Sequence, residues 1–155
     1  LSWDFYKKHF KTSNNMYPEE LIAPMRAELS SVGFEEFRTA EQVATHLGPD
    51  HKGTTLVVVN SVCGCAAGAA RPGITYAVEN AKVKPTTLAT VFAGNDKEAV
   101  DKFRELTLPY PPSSPAMALF KDGELVHFIE RHHIEGRNAK MIGDHLVEVF
   151  EHFCA

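Results

Sequence analysis

The sequence predicts an α/β domain built on a mixed β-sheet, and three observations predict it. Helical and strand-like patterns alternate along most of the chain, the signature of parallel strands joined by crossover helices. The segment Thr54-Thr55-Leu56-Val57-Val58-Val59-Asn60 is almost continuously apolar and β-branched, as a strand buried on both faces of such a sheet requires. Two further β runs, Ala116 to Phe120 and Leu125 to Ile129, flank the turn Lys121-Asp122-Gly123-Glu124 and read as a hairpin. The expected class is therefore α/β, with a central mixed sheet of four to five strands, helices on both faces and a C-terminal antiparallel hairpin.

Each element has its own signal. Residues 1–15 carry Trp3, Phe5, Tyr6 and Phe10 among lysines and end in Thr12-Ser13-Asn14-Asn15; they read as an N-terminal extension, and residues 16–155 as a single domain. Pro18-Glu19-Glu20 suits a helix start, because proline loses no bond there and acids favour the dipole. Leu21, Ile22, Met25 and Leu29 recur at helical spacing up to Gly33. Phe34 to Arg38 is a short strand candidate. Thr39 caps a second helix with Val43, Ala44 and Leu47 inward, stopped by Gly48-Pro49. After the strong strand come Ser61-Val62-Cys63-Gly64-Cys65, the small-residue run Ala66 to Arg71, Pro72-Gly73, and helical residues to about Asn80. Gly68, Gly73 and the alanines between suit close helix–sheet packing. Thr87 to Ala93 is another strand. Asp96 to Leu106 is another helix, with Val100 and Phe103 inward and Lys97, Lys102 and Arg104 on a solvated face. The proline-rich linker Pro109 to Pro115 precedes the hairpin. A last amphipathic helix shows Met141, Ile142, Leu146, Val149 and Phe150, and the phenylalanines and tyrosines elsewhere read as core.

Composition removes several function classes. The chain has 155 residues, 44% of them hydrophobic and 23% charged, the balance of an ordinary globular protein. A formal net charge of -4 leaves no global positive field for a nucleic-acid backbone or an anionic membrane. No apolar run approaches the roughly 20 residues of a membrane helix, and the amino end lacks the apolar segment of a signal peptide. Three cysteines are too few, and an odd number, for a disulfide scaffold. A cytosolic location is expected, where a close cysteine pair means metal or redox work.

Cys63 directly follows the most buried strand and opens a helix. Unpaired N–H groups and the positive dipole end at that point stabilise a thiolate, and Arg71 is the nearest positive charge in sequence. A Cys63–Cys65 bond would close a ring of roughly eleven atoms, and side chains two apart on a regular helix diverge. The bridge would need non-helical backbone, which Gly64 permits, and would be strained and easily reduced. Metal binding is the competing reading, but zinc wants four nitrogen or sulfur ligands. The candidate second pair, His132-His133, would point in opposite directions on a strand end and reads as exposed loop. Cys154, one residue from the carboxyl end, reads as a bystander thiol, with an auxiliary resolving role as the alternative. Pro115 can be cis, turning the Ser114 backbone outward toward an extended substrate, or trans and only a strand start.

These residues together resemble the thioredoxin superfamily: the cysteine motif between strand and helix, Pro72 kinking that helix, Pro115 before the hairpin, and Phe120-Lys121-Asp122-Gly123-Glu124 in the turn. The resemblance implies a thioredoxin-like sheet, a cis Pro115 facing Cys63, and a substrate-binding surface of Ser114, Pro115 and Gly64. Two departures matter. The motif is Cys-Gly-Cys with no tryptophan before it, and the buried carboxylate that thioredoxins place six residues ahead of the first cysteine is Val57 here. Resolution by Cys65 should be slow without that base.

The stretch Val58-Val59-Asn60-Ser61-Val62-Cys63-Gly64-Cys65-Ala66-Ala67-Gly68 is more closely similar to the bacilliredoxin family, as are Ser113-Ser114-Pro115, Val126-His127-Phe128 and Ile134-Glu135-Gly136. That resemblance implies a thiol–disulfide oxidoreductase that strips bacillithiol, a small cytosolic thiol, from mixed disulfides on S-thiolated cytosolic proteins. Cys63 would attack and carry the thiol, and Cys65 or a second free thiol would resolve it. Bacillithiol or a similar thiol would be the co-substrate, with no resident cofactor, metal, nucleic acid or membrane partner. Protein disulfide isomerase or general disulfide reductase is the rival within the same chemistry. A metal-binding or interaction module is the rival outside it.

Overall fold

The computed structural model describes residues 15–155, so the extension expected over residues 1–15 lies outside the described residues, Asn15 excepted. The strands are β1 (Glu35–Glu36), β2 (Thr54–Asn60), β3 (Thr87–Phe92), β4 (Ala116–Lys121) and β5 (Glu124–Ile129), joined in one sheet in the order β1-β3-β2-β4-β5. β1, β3 and β2 run parallel, whereas β4 pairs antiparallel with β2 and with β5. This is the mixed sheet the sequence predicts. Its hairpin closes through Asp122 and Gly123, at φ of 51° and 83°, the two left-handed residues of a tight hairpin turn.

Every residue of β2 is buried, and its alternating side chains feed two cores. Leu56 and Val58 meet Ile74, Met117, Ile142 and Phe150 on one face, while Val57 and Val59 meet Phe37, Val43 and Phe103 on the other. Helices α1 (Glu19–Ser30), α3 (Arg71–Asn80) and α6 (Ala139–Cys154) supply the first face; α2 (Ala40–Leu47) and α4 (Lys97–Leu106) supply the second. The one-turn helix α5 (Arg131–Ile134) links the hairpin to α6. α2 starts at a capping box in which Thr39 and Gln42 satisfy each other's backbone N–H, as its first residue suggests. No helix among the described residues is long and apolar enough to cross a membrane.

Four local expectations change. The strand expected over Phe34 to Arg38 contracts to Glu35–Glu36, with Phe34 and Phe37 turned into the two cores. In α1, Leu21 is 54% exposed and Arg26 takes the inward place instead. Its guanidinium meets Asp96 at 2.8 and 2.9 Å and also Glu19 and Glu36, so the helix stripe is closed by ion pairing rather than by another apolar group. Met141 faces water, as Tyr76 and Tyr110 partly do. Gly68 meets nothing within 4 Å of an added Cβ and so has no packing role, whereas a Cβ on Gly73 would come within 2.8 Å of Ala139 O and Ile142 Cβ. The close packing that Gly73 serves is between α3 and α6.

The helix after β2 holds an irregularity that positions the cysteines. Residues 66–70 form a π-helical turn, in which the Arg71 N–H donates to Ala66 O, five residues back. Pro72 follows at the start of α3. Because Pro72 has no N–H and its ring crowds the preceding turn, widening that turn relieves the conflict while keeping the helix continuous. Where the resemblance implies a kink at Pro72, the helix carries this widened turn.

Candidate active site

Cys63 sits in the bend between β2 and the helix, which begins at Gly64. It therefore precedes the helix rather than opening it. Because Cys63 lies outside the helix, the divergence of side chains two apart does not operate. The Sγ atoms of Cys63 and Cys65 are 2.7 Å apart, and both thiols are free. Gly64 does not provide this approach through left-handed backbone, since it is absent from the positive-φ residues. A Cβ at Gly64 would meet nothing within 4 Å, leaving the backbone beside the thiols open.

The Cys63 sulfur rests on the exposed N–H end of the helix. Ala66 N–H donates to Cys63 Sγ at 3.4 Å, Ala66 and Ala67 N–H also reach Cys63 O, and Cys63 N–H donates to Ser61 Oγ at 3.2 Å. Burial works against ionising Cys63. The hydrogen bonds from Cys65, Ser61 and the Ala66 N–H, and the charge of Arg131, outweigh it, and its thiol is held below the ordinary value. Cys65 moves the other way: burial and its hydrogen bond to Cys63 push it up. Two thiols in contact thus differ in acidity, with the negative charge placed on Cys63.

The charge that favours Cys63 comes from Arg131, not from Arg71. Arg131 donates from its backbone N–H to Ser113 Oγ at 2.7 Å and from Nη1 to Ser114 O at 3.3 Å, so it spans the cysteine pair and the loop before β4. Arg71 is 3% exposed and spends its donors on structure. Its Nε pairs with Glu28, and Nη1 donates to Ser61 O at 2.7 Å and Asn60 Oδ1 at 3.1 Å. Asn60 in turn accepts the Ser61 N–H at 2.9 Å and donates to Met25 O at 3.1 Å. These two residues hold the bend that carries Cys63, and a polar residue closing an apolar strand was the sequence signal for Asn60.

The Ser114–Pro115 peptide is cis, and Pro115 is buried. The Leu108–Pro109 peptide is cis as well, in the same linker. A groove of about 510 Å³ has Ser61 and Ser114 in its wall. It is also lined by the face of α4 bearing Lys97, Val100, Asp101 and Arg104; Lys97 is solvent-exposed there, as expected, while Arg104 is half-buried. Lys102, the third, pairs with Glu105.

The remaining candidates lie apart. Cys154 ends α6 near Thr54 and Lys121, at the opening of β2, and burial pushes its thiol up. His132 and His133 stand on α5 rather than on a strand end, so their rings lie side by side with centroids 4.0 Å apart. With Glu130 they form the only group of three potential metal ligands among the described residues, and neither Cys63 nor Cys65 belongs to it. Val57, where thioredoxins carry an acid, is fully buried among apolar side chains.

Solved structures share this architecture. A mutant thioredoxin from Halobacterium salinarum superposes with a TM-score of 0.55 at 13% identity, over 80% of this chain and 93% of that one. Mitochondrial thioredoxin 3 from Saccharomyces cerevisiae gives 0.52 at 13% identity, over 81% and 98%. The fold is thioredoxin-like. Among relatives in sequence, a bacilliredoxin of Cytophaga hutchinsonii is 61% identical over 136 residues, which is 88% of this chain and 98% of that one. One from Bacillus licheniformis is 50% identical over 143 residues, or 92% and 99%. Fold, free thiol pair and relatives together define a thiol–disulfide oxidoreductase. Residues 17–154 also match the family described as disulphide isomerase, and the chain belongs to the bacilliredoxin family.

Proposed function

We propose that this protein removes bacillithiol from mixed disulfides on oxidised proteins, with Cys63 as the attacking sulfur. The observation that carries the reading is the opposed acidity of two thiols in contact, Cys63 lowered and Cys65 raised. The Cys63 thiolate attacks the bacillithiol sulfur of the mixed disulfide. A Cys63–bacillithiol disulfide forms, the original bond breaks, and the substrate protein leaves as a thiolate that takes a proton from solvent. Cys65, protonated at first, then loses its proton and attacks Cys63 sulfur, releasing bacillithiol and leaving a Cys63–Cys65 disulfide. Alternatively a second bacillithiol attacks the carried one, leaving oxidised bacillithiol and reduced enzyme. No buried base stands at Val57 to speed the internal route, which favours the second.

Around the thiols, Pro115 and Ser114 form the surface against which the substrate lies, with Ser114 O already bound to Arg131. Gly64, with open space around it, lets the disulfide approach. The site needs no metal, and its co-substrate is the small thiol itself. A cytosolic setting, rich in reduced thiols, supports this cycle. The family description adds a second reading, isomerisation of protein disulfides. Refolding of a scrambled-disulfide protein, compared with the rate of thiol removal, ranks the two.

The test is intact-mass analysis of the reduced protein after exposure to a bacillithiolated substrate. The adduct is expected on Cys63, absent in Cys63→Ser and accumulating in Cys65→Ser. An adduct on Cys154 alone overturns the assignment.

A further inference from the structure

The groove beside the cysteines carries a positive group with nothing to answer it. Lys97 and Asp101, on its α4 wall, neutralise each other through an ion pair. Arg104, one turn further along the same face, has no acidic partner among the described residues. Its Nε–H is shielded from solvent and has no acceptor among the described residues. A buried donor left unpaired is costly, and native proteins rarely leave one without a use. The same groove reaches Ser61, whose Oγ accepts the Cys63 N–H, and Ser114, whose carbonyl is bound by Arg131. Its volume of about 510 Å³ lies in the range of small-molecule sites, about 300–1,000 Å³, and not of protein docking faces.

From this we infer that the groove holds a carboxylate borne by the small-thiol half of the mixed disulfide, with Arg104 as its partner. A carboxylate presents two oxygens in the plane of a guanidinium fork, which a neutral thiol cannot do. Drawing Arg104 toward such a group also gives its stranded Nε–H an acceptor. The inference rests on the function proposed above, because that half of the disulfide stays on Cys63 after the first exchange and must be accommodated beside it. It makes the protein selective for acidic small thiols over neutral ones.

Two measurements on the full-length protein test it, and they fail separately. The first uses no sulfur exchange: the Arg104 Nε–H resonance is followed by nitrogen-15 NMR as 3,3′-thiodipropionate, an unreactive thioether dicarboxylate, is added. A saturable shift is expected, with none for the neutral thiodiglycol; a resonance that stays put overturns the inference. The second compares adduct formation on Cys63 from 3,3′-dithiodipropionate and from 2-hydroxyethyl disulfide. The ratio of the two rates should fall about tenfold in Arg104→Gln, recover partly in Arg104→Lys, and hold in the control Lys102→Gln, since a hydrogen-bonded charge pair is worth about that factor. An unchanged ratio in Arg104→Gln overturns the inference and leaves the thiol chemistry standing. A shifted Nε–H with no adduct from either disulfide overturns the proposed function and leaves the groove as a carboxylate site.

Discussion

Cys63 and Cys154 stand at opposite ends of the same strand. Each is partly exposed and free, yet Cys63 stands three residues past the end of β2 while Cys154 lies beside Thr54, its first residue. At about 3.3 Å per residue, β2 separates them by roughly 20 Å. Cys63 faces the amino end of a helix, with the Ala66 N–H directed at its sulfur and Arg131 nearby. Cys154 is the last residue of α6, and burial raises its thiol against the opposing pull of Thr54 and Lys121. The difference teaches that similar partial exposure does not make two thiols alike: at Cys63 the surrounding partners outweigh burial, and at Cys154 burial outweighs them.

The comparison is broken most directly by alkylation. Treated with iodoacetamide at neutral pH, the reduced protein should label Cys63 at least about tenfold faster than Cys154, followed by peptide mass spectrometry. The pH midpoint for Cys63 should fall below that of an ordinary thiol and move up in Arg131→Gln, while that for Cys154 lies above. Equal rates at the two ends would end the argument.

A smaller effect separates what shapes the reactive end from what charges it. Arg71→Met leaves Ser61 O and Asn60 Oδ1 short of a donor beneath the cysteine bend. Stability should fall by about 1–3 kcal/mol in denaturant titrations. Cys63 alkylation should slow with it, whereas the Cys154 rate stays where it was. A stability loss with no change at Cys63 would make Arg71 merely a core ion.

The smallest expected effect lies on the flank and should touch neither end. His127 on β5 and His145 on α6 face each other, Nε2 to Nε2, at 3.1 Å. Burial first, then His145 and His133, holds His127 below its ordinary value; burial first, then Arg137, does the same for His145. The unfolded chain therefore takes up protons before the folded one does. Stability should be constant above about pH 6.5 and decline as pH drops below it, until the folded imidazoles protonate too. Denaturation midpoints at pH 8 and pH 5.5 should differ less in His127→Gln than in the parent chain. A midpoint that rises on acidification would reverse the sign and sink this account.

Much of this was legible in the sequence because it is local. The apolar run of β2, the Asp122-Gly123 turn and the placement of Cys63 after a buried strand each follow from a few neighbouring residues. What sequence reading missed depends on partners far along the chain. Arg26 looks like a surface residue until Asp96, 70 positions away, is brought against it. Arg131 gains its place beside the thiols only when the hairpin returns the chain to the end of β2, and Arg71 spends its charge on Glu28, 43 positions before it. Arg104 had the periodicity of a solvated face, and nothing local shows that Ser61 and Ser114 share a groove with it.

The π turn at Ala66–Ala70 gives the protein a dependence on counting. A helix advances about 100° per residue, so the one extra residue in that turn sets the angular phase between the thiols and the half of the helix packed on the sheet. Deleting a single alanine from the run would leave both cysteines, both arginines and the core intact in name. It would nevertheless turn the thiol-bearing end of the helix relative to the half packed on the sheet, so that an indel too small to disturb the architecture could silence the chemistry.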